Sequence, residues 1–347
     1  MNKKSIDIND NCLDIIRLLC TFTVFFGHFL THFNLDHSLL NEMAYFVRGV
    51  PVFFFMSGLF VARSLEYNDT KSFLKKRAFR IFPELWVCVL LNLVIILISM
   101  GARGVRFRDI IIYLATQLTV FQFYTVPWFR GYGVGVPNGA LWTISSDIQF
   151  YIVAIFTAKW LSKRKFRTQL IIAAALMLLD RLLELYKSMY AEIIYKLLQC
   201  IFIPFAWIFL LGMIVYYNRD MLIPVFIKIR WAVLALYILW RYAVPSSIKE
   251  LFGGIRYNLV TTIFVLALVT GFGFAYHKRF KKDYSYSFYL YHMVVINFVI
   301  NNVMSRFENS GQMIVVLTVC ILATGAFAFL SHRLVAEQLA HKVKKRL

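Results

Sequence analysis

Ten apolar stretches, each close to the length that crosses a bilayer, follow one another along this chain with little between them. They lie near 12–33, 43–64, 82–100, 140–160, 168–187, 193–217, 231–246, 257–276, 286–305 and 312–334. A spanning helix needs about 20 mostly apolar residues, and an open strand facing lipid would leave its backbone groups unpaired. The expected fold is therefore all-α, a polytopic membrane helix bundle of about ten transmembrane helices. The chain is 60% hydrophobic and only 16% charged, whereas a soluble domain carries about a quarter charged residues. That composition excludes an ordinary soluble enzyme.

Charge sets the expected direction of the spans. There are 38 Lys and Arg against 18 Asp and Glu, a formal net charge of +20. The basic residues fall in short runs between apolar stretches, at 71–80, 159–167, 278–282 and 342–346. Cytoplasmic loops collect Lys and Arg, so these runs are assigned inside and both termini are expected in the cytoplasm. The same distribution favours membrane lipids over nucleic acid as the partner of the basic residues. An eleventh apolar stretch, 110–126, is expected to be re-entrant or interfacial. A full crossing there would put Lys163, Arg164, Lys165 and Arg167 outside.

The expected organisation is one membrane domain over 1–347, with cytoplasmic tails at 1–11 and 335–347. The first apolar run is long enough to span and lacks a small-residue cleavage site, so no signal peptide is expected to be removed. Cys12, Cys20, Cys88, Cys200 and Cys320 stand singly, without CxxC spacing, and read as lone thiols. The seven histidines show no ligand spacing, and no metal site is expected.

Polar residues inside apolar stretches carry the functional information, because each costs energy at bilayer depth unless it meets a cavity or a partner. Arg17 and His28 are eleven positions apart in the first stretch. At about 100° per residue they return to nearly the same helix face, separated by about 16 Å along the axis. That is on the order of a pantetheine arm's reach, but a snorkelling Arg17 and a packed, hydrogen-bonded His28 explain the pair as well.

Arg77 and Arg80 share a face in Lys75-Lys76-Arg77-Ala78-Phe79-Arg80-Ile81-Phe82-Pro83. Paired guanidinium forks suit phosphates, although a basic run before a span is ordinarily a topology signal. Pro83 suits the first turn of the third span. Asp147 is a carboxylate within the fourth apolar stretch, either a proton-handling partner for His28 or a helix-pairing group for an arginine. Ser57-Gly58 allows close helix approach. His292, among tyrosines in the ninth stretch, fits a hydrogen-bonded aromatic cluster as well as it fits chemistry. Trp128, Phe129 and Tyr132 lie in an expected outer loop, where they suit either sugar stacking or an interfacial aromatic belt.

Five elements in this order resemble acyltransferase family 3, the integral membrane acyltransferases that include polysaccharide O-acetyltransferases. They are Arg17-x10-His28, Phe54-Phe55-Met56-Ser57-Gly58, Arg77-x-x-Arg80-Ile81-Phe82-Pro83, Asn138-Gly139-Ala140-Leu141-Trp142-Thr143-Ile144-Ser145, and Ser285-Tyr286-Ser287-Phe288-Tyr289-Leu290-Tyr291-His292. The resemblance covers nearly the whole chain. It implies ten spans, a cytoplasmic acyl donor and an acceptor met at the outer side.

Carried over by position, His28 is the implied catalytic residue, Arg17 its partner, and Arg77 with Arg80 the donor-binding pair. Asp147 stands where many members carry Ser-x-Glu-Glu, and Pro51 where many carry an acidic residue. Trp128, Tyr132 and Trp142 are the expected acceptor-binding residues. The expected donor is acetyl-CoA or another acyl-CoA. The expected acceptor is a carbohydrate or lipid-linked glycan, and the expected location is a bacterial plasma membrane. The competing expectation is a transporter or flippase of a lipid-linked sugar, whose aqueous path would also need buried Arg, His and Asp.

Overall fold

The computed structural model describes residues 6–36, 38–280 and 282–339. The basic run at 342–346 lies outside them. The described residues form fourteen α-helices and no strand. In chain order they are α1 (Leu13–His32), α2 (Ser38–Tyr45), α3 (Gly49–Tyr67), α4 (Thr70–Met100), α5 (Phe107–Gln117), α6 (Trp142–Ser162), α7 (Phe166–Leu185), α8 (Glu192–Leu198), α9 (Ala206–Tyr217), α10 (Arg219–Tyr242), α11 (Ser246–Glu250), α12 (Leu259–Gly273), α13 (Ser285–Asn302) and α14 (Ser310–Ser331).

Every apolar stretch of the sequence contains helix, but the stretches differ in how well they suit a bilayer. By length and composition, five helical segments can cross: Leu13–His32, Leu39–Tyr67, Thr70–Met100, Arg219–Tyr242 and Ser310–Leu339. The bent pair Glu192–Leu198 and Ile203–Tyr217 makes a sixth if it is one span. The others miss for visible reasons. Asp147 and Lys159 interrupt α6, Asp180, Arg181 and Glu184 interrupt α7, and α12 has 15 residues. Serine, tyrosine, histidine and asparagine occupy much of α13.

Three boundaries differ from the sequence reading. The stretch 193–217 is broken, with a bend of 42° between its two helices. Pro204 stands at the break, where it has no N–H to continue the ladder. The helix expected from 231 begins at Arg219. Pro83 lies inside α4 rather than in its first turn, because the basic run from Thr70 is helical and continuous with the apolar segment. Asp69 starts that helix by accepting the amides of Lys71 and Ser72, each at 3.1 Å. Its carboxyl is held below its ordinary range by the bonds from Ser72. The stretch 110–126 contains only the 11-residue α5, about 16 Å long and too short to cross a 30 Å core.

Contacts group the chain into two compact units. The first comprises Met1–Cys20, Val47–Phe73 and Ser146–Lys281, and the second comprises Thr21–Phe46, Leu74–Ser145 and Lys282–Leu347. In the first unit α3 and α9 meet backbone to backbone. A Cβ on Gly58 would overlap the carbonyl of Phe209, and one on Gly212 would overlap the carbonyl of Phe55. Phenylalanines close around that approach, with Phe54 5.3 Å from Phe150 and Phe150 stacked on Phe209 at 4.5 Å. In the second unit α4 is two-faced. Leu85, Cys88, Asn92 and Ile96 are buried, while Trp86, Leu90, Val94 and Ile98 are exposed at four-residue spacing. An exposed apolar stripe of this kind suits lipid as its solvent.

Replacing Gly58 by leucine is expected to separate α3 from α9, since a backbone carbonyl cannot move aside as a side-chain tip can. The expected cost is at least the roughly 1–3 kcal/mol of ordinary overpacking. Thermal unfolding in detergent checks this, and an unchanged Tm would contradict the close approach.

Candidate active site

The second unit gathers three imidazoles. His28 and His32 lie one turn apart on α1, with His28 Nδ1 3.3 Å from His32 Nε2 and the rings 18° from parallel. The ring centre of His292, on α13, is 5.2 Å from that of His28. Phenylalanines pack around them: Phe25 and Phe29 are fully buried, and Phe25 lies 5.8 Å from Phe288 and 6.5 Å from His292. One nitrogen of the His28–His32 contact must carry the proton and the other the lone pair. If His28 donates from Nδ1, its Nε2 carries the lone pair that a general base or nucleophile needs.

Polar side chains at α13 tie the segment before α6 to this region. Asn297 is fully buried and donates to the carbonyls of Val136 and Pro137 at 2.9 and 3.0 Å, while its Oδ1 accepts the amide of Val134 at 3.1 Å. Gly133 allows that approach. Its φ is +54°, and a Cβ there would run into the Asn297 side chain. Asn92 of α4 adds a bond to the Pro137 carbonyl at 3.0 Å, and Asn138 donates to the Leu290 carbonyl at 2.9 Å. Tyr289 OH donates to the Ala140 carbonyl at 3.0 Å and lies 2.8 Å from Thr143 Oγ1.

The other sequence-selected residues of the second unit are distributed around this framework. Arg77, half-buried, and Arg80, exposed, lie on the N-terminal part of α4. Trp128 is half-buried, with its Nε1 3.4 Å from the Arg103 carbonyl. Tyr132 and Trp142 are buried, so of the three expected acceptor-binding aromatics only Trp128 presents part of its ring.

Arg17 and Asp147 belong to the first unit. Arg17 lies 3.6 Å from Asp14 and 5.8 Å from the ring of Phe60. Asp14 also receives Arg279 at 3.2 Å, and Asp10 meets His277 at 2.8 Å. These pairs join the start of α1 to the segment after α12, two ends that the charge pattern assigns to one side. Asp147 is half-buried on α6. Its neighbours Ser146 and Gln149 bond the backbone of the break before α9, at the Cys200 carbonyl and the Phe202 amide.

Two residues escaped the sequence reading. His32 follows His28 by four positions, one helical turn, and that spacing was the available signal. Glu84 is the one charged residue in the apolar segment 81–100. It is buried and accepts bonds from Ser287 at 2.5 Å and Ser331 at 3.1 Å, which joins α4 to α13 and α14. No group of three or more His, Cys, Asp or Glu suited to a metal ion occurs among the described residues.

Replacing Asn297 by leucine is expected to leave the Val136 carbonyl and the Val134 amide without that partner, at about 1–3 kcal/mol for each that stays buried, while Asn92 still reaches the Pro137 carbonyl. The expected readouts are a lower Tm and faster proteolysis within 127–139. Unchanged values in both would contradict the clamp.

Over residues 10–333 the chain matches a family model described as an acyltransferase domain. It is similar to Nodulation protein 10 of Rhizobium leguminosarum bv. viciae, with 25% identity over 317 residues covering 84% of each chain. No solved structure matches it.

Proposed function

The chain belongs to acyltransferase family 3 and is an integral membrane acyltransferase, and on that premise we propose that it moves an acyl group from cytoplasmic acyl-CoA to a hydroxyl. The acyl group is acetyl, and the acceptor is an extracytoplasmic or membrane-linked carbohydrate. The observation that carries this reading is His28, an imidazole inside an apolar helix with a second imidazole at 3.3 Å and a third ring at 5.2 Å. His28 is half-buried, and an imidazole there has no packing advantage over phenylalanine and costs energy within an apolar helix.

The reaction joins the hydroxyl oxygen to the thioester carbonyl carbon, breaks the carbon–sulfur bond and releases CoA as the thiol. His28 takes the hydroxyl proton as general base, or carries the acyl group first as a nucleophile. His32 orients it in either role. Arg77 and Arg80 hold the CoA phosphates, as guanidinium forks suit phosphate oxygens. Trp128 offers a ring to the sugar. Arg17 and Asp147 are proposed on the resemblance as further catalytic residues. The more polar helices α6, α7 and α13 and the short apolar α12 complete ten crossings, with both termini cytoplasmic and the protein in a bacterial plasma membrane.

Binding of CoA to the purified protein tests the donor assignment. The double substitution Arg77→Ala/Arg80→Ala is expected to raise the Kd for CoA and the KM for acetyl-CoA by about 10-fold or more, with kcat nearly unchanged. One lost charge-assisted hydrogen bond of roughly 1.5–3 kcal/mol suffices for that. Unchanged CoA affinity in the double variant would remove these arginines from the donor site.

A further inference from the structure

His292 is only 1% exposed, and its Nδ1 lies 2.6 Å from the Tyr289 carbonyl oxygen. A carbonyl can only accept, so Nδ1 carries the proton and Nε2 the lone pair. That Nε2 is buried and meets no hydrogen-bond partner among the described residues. A buried acceptor without a donor is disfavoured, and native proteins fill such positions with a water or a ligand. The surroundings narrow the choice. Phe25 is apolar, and Tyr289 is already committed through its hydroxyl to Ala140 and Thr143. The remaining close ring is His28, 5.2 Å away. A hydroxyl that donates to Nε2 at about 3 Å can place its oxygen beside the His28 ring.

We infer that His292 Nε2 receives the hydrogen bond of the attacking hydroxyl and takes its proton as the oxygen attacks, which makes His292 a second catalytic residue and leaves His28 the nucleophilic route, carrying the acyl group once CoA has left. This rests on the acyl-transfer reading above. The chemistry of the two substrates selects the occupant. A thioester carbonyl has no hydrogen to give and cannot satisfy the Nε2 lone pair, whereas a hydroxyl donates its hydrogen before attack. The tautomer is fixed by backbone, since the Tyr289 carbonyl lies on the helix that carries His292. His292 therefore meets the hydroxyl as an acceptor, without competition from its own N–H.

The test uses the full chain in detergent, acetyl-CoA as donor, and octyl β-D-glucopyranoside as the hydroxyl probe. His292→Phe removes the acceptor atom, and His292→Gln keeps one in its amide oxygen but takes no proton. The expected result is a fall of about 100-fold or more in kcat/KM for the glucoside with either variant, the lower end of what a positioned general base contributes. The CoA Kd of both variants should stay within twofold. If the phenylalanine variant fails size exclusion, the glutamine variant decides alone: a loss below tenfold overturns the inference.

Transfer within threefold of wild type for His292→Phe also overturns it, leaving Nε2 with a buried water. So does a parallel loss of CoA affinity, which would place the donor at Nε2. If the wild type uses water but not the glucoside, the same comparison is read on acetyl-CoA hydrolysis. A folded wild type that neither binds CoA nor consumes acetyl-CoA overturns the donor reading and this inference together. An active wild type with unaffected variants overturns this inference alone.

Discussion

An imidazole inside an apolar helix bundle is costly unless other polar groups meet it, and half-buried His28 has two further imidazoles beside it in the second unit. His32 contacts it from the next turn of α1, and His292 approaches from α13. The second approach depends on the phenylalanines of α1 and on Phe288, which fix the distance between the two helices through ring contacts of 5.1 to 5.8 Å. Without that packing the imidazoles would have no common environment. The imidazole cluster thus depends on core packing more than on any ion pair.

Helix α13 is the element through which this arrangement extends. Residues 287 to 297 of α13 are buried without interruption. Its polar side chains point to three different tasks. Ser287 meets Glu84, His292 meets His28, and Asn297 holds the loop before α6. These groups explain why α13 is too polar to register as a span by composition. A helix that carries a site pays for it in hydropathy, and its shielding comes from less polar neighbours such as α4 and α14.

The helical fold was legible because apolar length is a strong and local signal. The 110–126 stretch holds only part of a short helix, and Ser57-Gly58 correctly marked a close helix approach. The break at 199–205 and the helical run through Pro83 were not legible, because a proline reads the same whether it ends a helix, breaks it or is tolerated within it. Of the site, His28 stood out as a polar residue at depth. His32 was legible only through its one-turn spacing from His28, and Glu84 was not, because its serine partners are set by packing. Asn297 shows the same limit: its three backbone partners lie about 160 residues away, and nothing in its own neighbourhood announces them.

The central claim is that one chain passes an acyl group from acyl-CoA to a hydroxyl at His28. The most direct measurement is a rapid-quench single turnover with radiolabelled acetyl-CoA and a glucoside acceptor, comparing wild type with His28→Ala at saturating donor. The expected result is one labelled ester per active wild-type molecule and none above background in the variant, with equal CoA binding by both. Equal ester formation by the two proteins would contradict the claim.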